Sequence, residues 1–148
     1  MFGPVMINIV AALALALSAA PAPDPAQAGP GTSSVALTFE TGTARGVVMV
    51  MLFDSQAAYD GGKPVGQARV DVAAGAQTAM FGNLSAGTYA ARAFHDVNGD
   101  GQMNTNPFGM PTEPYAFSNN AVGNMGPASW DRARFDVSGA TAQTIVIR

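Results

Sequence analysis

Apolar and polar positions alternate along short, glycine-bounded segments of the chain. Val35, Leu37 and Phe39 share one face of Ser34 to Phe39, the two-residue period of a half-buried strand. Gly46 to Phe53 (GVVMVMLF) is apolar at every position after the glycine. That predicts a central strand covered on both faces, because so short a run is unlike a typical helix. Asp54 to Gly62 is a turn region with room for one helical turn. Alternation resumes over Ala68 to Val72, Thr78 to Phe81 leads into Gly82-Asn83, and Thr88 to His95 forms another strand. Ala133 to Val137 and Thr144 to Ile147 read as two strands joined by Ser138-Gly139. No segment after residue 28 sustains a helical apolar period, and none repeats at a solenoid spacing. About seven strands therefore predict an all-β fold, an antiparallel β-sandwich.

Two stretches fall outside that rhythm. Val5 to Leu17 is an apolar run of about a dozen residues, followed by a proline-rich segment ending in Ala26-Gln27-Ala28. The run is short for a membrane span, and the small residues before Gly29 suit signal peptidase. This predicts a signal peptide over 1–28 cut after Ala28, a linker over 29–33, a single domain over 34–148, and a periplasmic or secreted protein with no transmembrane segment in the mature chain. Met1 to Pro4 carry no Lys or Arg, which is atypical of an n-region. The second stretch, Asp96 to Ser129, holds no convincing strand. It contains Phe108, Tyr115 and Phe117, with Trp130 just beyond, so a folded loop layer over residues 96–130 is expected rather than disorder.

Composition removes most chemistries. The chain has no cysteine, which excludes disulfides, thiolate nucleophiles and Cys-ligated metals, and its single His95 excludes sites needing two imidazoles. Seven Lys+Arg against ten Asp+Glu give a net charge of -3, so no nucleic-acid partner is expected. What remains is His95-Asp-Val-Asn-Gly-Asp-Gly-Gln-Met-Asn104, with Asp96, Asn98 and Asp100 at alternate positions before Gly101. Oxygen ligands at i, i+2 and i+4 ahead of a glycine form the first half of a Ca2+ loop, in which Gln102 would lend its carbonyl and Asn104 a further oxygen. Position twelve is Pro107, so this is not an EF-hand, and a further carboxylate is needed. Glu113 is the nearest downstream and Asp131 the next. The segment is then either a calcium site or an Asx-rich turn, since Asn-Gly and Asp-Gly are also standard turn chemistry.

Phe81-Gly-Asn-Leu-Ser-Ala-Gly-Thr-Tyr89 reads as a turn between strands, with Leu84 buried, Gly87 at positive φ and the Tyr89 ring inward. Asn83-Leu-Ser also fits a glycosylation sequon, which a turn explains sufficiently. The Phe81 segment resembles exported sandwich modules of the prealbumin-like and carboxypeptidase-regulatory type. Taken with Phe94 to Asn104, Phe108 to Asn120 and Ala133-Arg-Phe135, it resembles the bacterial domain-of-unknown-function 2141 family over roughly Val35 to Arg148. The resemblance implies an exported Ig-like or prealbumin-like β-sandwich and no reaction. Ala116 stands where that family usually has Gly, and Met103-Asn104 where it usually has Leu-Asp, so one common carboxylate is missing. The expected function is a non-catalytic binding or structural module, its loop layer stabilised by Ca2+ if the 96–104 loop holds an ion. Its partner would be a protein, a glycan or another envelope ligand, with Tyr115, Phe117 and Trp130 either a stacking surface or the private core of the loop layer. The competing expectation is a small hydrolase using His95 with Asp96 or Glu113. Ser118 lacks a nucleophile elbow and reads as a turn residue.

Overall fold

The computed structural model describes residues 31–148, and the segment read as a signal peptide lies outside them. Eight strands run in the order β1 (Ser33–Thr41), β2 (Val47–Phe53), β3 (Gly66–Asp71), β4 (Thr78–Leu84), β5 (Gly87–Asp96), β6 (Tyr115–Phe117), β7 (Phe135–Val137) and β8 (Ala140–Ile147). Two short α-helices, α1 (Gln56–Gly61) and α2 (Trp130–Ala133), and two 3-10 turns, Val72–Ala74 and Ser118–Asn120, complete the set. The strands form an all-β, sandwich-like pair of sheets, one ordered β4-β1-β8, the other β3-β2-β5-β6 with β7 also on β5. The apolar strand β2 is central, paired with β3 on one side and β5 on the other. Among the described residues no helix is long and apolar enough to cross a membrane.

Three features depart from the pattern reading. β8 pairs with β1 in parallel over eight positions, Ser34 to Thr41, so the sandwich is not wholly antiparallel. The strands around Ser138-Gly139 do not form a hairpin: β7 belongs beside β5 in one sheet and β8 beside β1 in the other. The chain switches sheets there, helped by Gly139 at φ +70°. Ala133 lies in α2, and β7 starts only at Phe135. The third departure is β6, a three-residue strand inside the stretch expected to hold none, too short to display a period of its own.

Alternation assigns the two faces of β5. Tyr89, Ala91 and Ala93 point into the main core between the sheets, with Val35, Leu37, Val48, Leu52, Ile145 and Ile147. Ala90 points the other way, into a second cluster built on Phe53, Tyr59, Phe117, Ala128, Trp130 and Ala133. This outer layer is closed by the helices: Ser55 caps α1 through Ala58 N–H, and the Tyr59 hydroxyl donates to the Ala128 carbonyl at 2.7 Å. Phe117 and Trp130 therefore belong to the private core of the loop layer, and of the three aromatics only Tyr115 stays at the surface.

At the turn before β5, the positive φ belongs to Asn83 (+55°) and not to Gly87, because the bulge in the β1–β4 register falls at Gly82-Asn83. Asn tolerates that conformation. The Tyr89 hydroxyl donates to the Ser85 carbonyl at 2.7 Å, tying the turn to the strand it opens. Burial holds this phenol above its usual pKa, with Asp54 adding to the effect, so it stays a neutral donor. Tyr89→Phe keeps the ring and removes the bond, and a loss of about 1 kcal/mol in urea unfolding is expected.

Candidate functional site

The end of β5 carries the acidic corner. Asp96 is fully buried, and its carboxylate organises the following turn: Oδ1 accepts from Gly99 N–H at 2.9 Å and Oδ2 from Gly101 N–H at 2.6 Å. Both glycines take positive φ, which lets two alternate amides face one carboxylate. Gly46 packs against the same corner, where a Cβ would collide with the Asp96 carbonyl oxygen. Asp100 repeats the device, accepting from Gln102 N–H at 2.9 Å. Asn98 accepts from Asp100 N–H and donates to the Asp100 carboxylate at 3.4 Å. These are Asx-turn contacts, so the turn chemistry foreseen for the segment is present.

The same corner gathers charge. Carboxylate oxygens of Asp96, Asp100 and Glu113 all lie within 4.8 Å of one another. Glu113 arrives on the return arm of a small hairpin held by Thr112 N–H on the Asn104 carbonyl and by the Thr105–Pro111 bridge. Its Oε2 accepts from Asn104 N–H at 3.3 Å. Its Oε1 is buried without a hydrogen-bond partner, on a residue only 8% exposed. Of the predicted ligands, then, Asp96, Asp100 and Glu113 converge. Asn98 is used within the turn, Gln102 is exposed, and Asn104 meets Glu113 through its backbone amide. Asp131 lies outside the cluster and pairs with Arg134 at 3.6 Å.

His95 and Ser118 both turn to backbone partners. The His95 Nε2 faces the Arg45 carbonyl at 2.5 Å, on a ring that is almost fully buried. Ser118 is buried too, its hydroxyl donating to the Ala133 carbonyl and accepting from Ala91 N–H. Ala91 stands four residues before His95 on β5, roughly 13 Å along an extended strand. Neither side chain lines the groove over Arg92 and Tyr115 or the smaller one beside Asn120 and Val146.

A site the residue pattern missed lies on the outer face of the β2-β5-β6 sheet. A groove of ≈ 870 Å³ runs over Met51, Arg92, Phe94 and Tyr115, walled by Met110 from the 104–112 hairpin and Met125 from the 121–129 loop. Register explains the floor: Arg92 pairs with Met51 on one side and Phe117 on the other, and Phe94 pairs with Tyr115. Arg92 lies over the Tyr59 ring, its guanidinium carbon 3.9 Å from the centroid, and its buried Nε has no hydrogen-bond partner. Burial raises the Tyr59 pKa, with Arg92 pulling against it, so the phenol stays neutral and does not cancel the cation. The available signal was the double-sided apolar pattern of β2, which reports cover on both faces without saying what the cover is.

The sequence model of a bacterial family, described as "Uncharacterized protein conserved in bacteria (DUF2141)", matches residues 40–145. The chain belongs to this family. The DUF2141 match spans Arg92, the acidic corner and both walls of the groove, and its description assigns no reaction. No curated protein and no solved structure matches the chain.

Proposed function

We propose that this DUF2141 domain is an exported, non-catalytic binding module whose loop layer is pinned by Ca2+ at Asp96, Asp100 and Glu113. The observation that carries the ion is Glu113 Oε1, a buried carboxylate oxygen with no partner, set among two further carboxylates. Among the described residues no salt bridge reaches any of the three. Buried like charges repel, and a buried acceptor without a donor costs about 1–3 kcal/mol. A hard cation answers both, and the oxygens already bonded to Gly99, Gly101 and Asn104 amides keep a second lone pair for it. Export is supported by the apolar run Val5 to Leu17 and the Ala26-Gln27-Ala28 segment.

Thermal melts of the domain test the ion. With two or three carboxylates a Kd of roughly 10⁻⁴–10⁻³ M is expected. Calcium tenfold above Kd then adds about 1.4 kcal/mol, a rise in Tm of about 4–8 °C, while magnesium, which demands a tighter shell, adds much less. Glu113→Gln removes one charge and keeps an acceptor for Asn104. In chelator this variant should melt at or above the wild type, and calcium should reverse the order. A wild-type Tm unchanged in 10 mM calcium (about ten times the upper Kd estimate) refutes the site.

A further inference from the structure

We infer that the groove on the outer face of the β2-β5-β6 sheet binds a free long-chain carboxylate, its head on Arg92 and its acyl chain along the methionine walls. The inference deepens the binding-module reading and does not need the ion. Its first support is the cation. Arg92 sits on the groove floor, forms no salt bridge with a described residue, and packs against the rings of Tyr59 and Phe53. Aromatic faces attract a guanidinium but leave its net charge in place, and its planar N–H fork matches a carboxylate. The buried, unpartnered Nε adds a donor that lacks an acceptor.

The second support is where the apolar surface lies. Of nine large hydrophobic side chains left exposed among the described residues, Met103, Met110, Tyr115 and Met125 line this groove, and Phe108, 89% exposed, caps the hairpin that walls it. Concentrated exposure of this kind marks a binding surface, whereas scattered single residues do not. Four of the eight methionines of the chain, Met51, Met103, Met110 and Met125, meet here. Unbranched thioethers conform to a flexible chain without demanding one shape. The volume falls within the usual range of small-molecule pockets. A single charge at the floor of an otherwise apolar trough selects an amphiphile with one anionic head. A glycan, polar along its length, would leave these walls unsatisfied.

Isothermal titration calorimetry with dodecanoate, dodecanol and acetate, each as monomers, decides the matter. Dodecanoate should bind 1:1, dodecanol roughly ten- to hundred-fold more weakly for want of the charge-assisted pair, and acetate not measurably. Arg92→Met should erase the preference so that acid and alcohol bind alike. Because Arg92 packs on Tyr59, Met110→Asp serves as a second variant at a 60% exposed position, and it should weaken both ligands. Absence of dodecanoate binding, equal wild-type affinity for acid and alcohol, or unaltered preference in Arg92→Met overturns the inference. So does sedimentation with anionic phospholipid vesicles in the absence of monomer binding, which would make the surface a membrane contact, or a dimer closed over the groove. Titrations in calcium and in chelator separate the two proposals: a calcium melting shift without dodecanoate heat removes the groove ligand alone, and the converse removes the ion alone.

Discussion

Ending the chain at Ser138, so that β8 is lost, is expected to leave no cooperatively folded domain. β8 supplies Ile145 and Ile147, each 1% exposed in the main core, and pairs with β1 at eight successive positions. Burying two such side chains is worth about 3–6 kcal/mol, against a total stability of about 5–15 kcal/mol for a domain. The loss does not stop at two residues. Without β8 the β4-β1-β8 sheet shrinks to a two-stranded ribbon, marginal by itself, and the Asn120 side chain loses its bonds to the Thr144 carbonyl and Val146 amide. Urea unfolding followed by circular dichroism should give a broad, featureless curve in place of a sigmoidal one. A peptide of residues 139–148 added in trans should restore the transition by re-forming the β1 edge. A truncated chain that still unfolds cooperatively would show that the five-stranded sheet with its outer layer suffices for the fold.

The parallel pairing behind that prediction was not legible in the sequence, although β8 itself was. Alternation reports which residues of a strand are buried and says nothing of the neighbour they lie against or its direction. Ser138-Gly139 looked like a hairpin turn because local turn chemistry is the same whether the chain folds back or crosses to the other sheet. By contrast β2 was read correctly as a central strand, since only burial on both faces permits Val47 to Phe53 to be apolar throughout. The acidic corner was half legible. The spacing of Asp96, Asn98 and Asp100 identified the turn, but Asn98 is used within it, bonding Asp100. Glu113 was named only as the nearest downstream carboxylate, and what brings it back is the 104–112 hairpin, whose Thr105–Pro111 bridge has no sequence period. Arg92 was invisible for another reason: one charge within the apolar strand Thr88 to His95 reads as a solvent-facing position. Only the arrival of Tyr59, β6 and the hairpin on that face makes it the floor of a groove.

Asp96→Ala is the substitution expected to cost most at the acidic corner. Asp96 is 0% exposed, and its two oxygens hold the amides of Gly99 and Gly101, residues whose positive φ gives the loop little stability of its own. Hydrogen bonds to a charged acceptor contribute about 1.5–3 kcal/mol each, but both glycines are exposed and water recovers part of the loss. Relief of repulsion from Asp100 and Glu113 offsets a further share. The net loss is about 2–4 kcal/mol, a fall in Tm on the order of 10 °C. Asp96→Asn keeps one acceptor and should fall between the wild type and the alanine variant. Hydrogen exchange locates the effect: the Gly99 and Gly101 amides should exchange far faster in Asp96→Ala, while Ala91 and Ala93, deep in the core on the same strand, keep their protection until global unfolding. Calcium should not rescue either variant, because the ion would lose its most buried ligand. An alanine variant that loses under 1 kcal/mol with unaltered Gly99 and Gly101 exchange would remove Asp96 as the organiser of the loop.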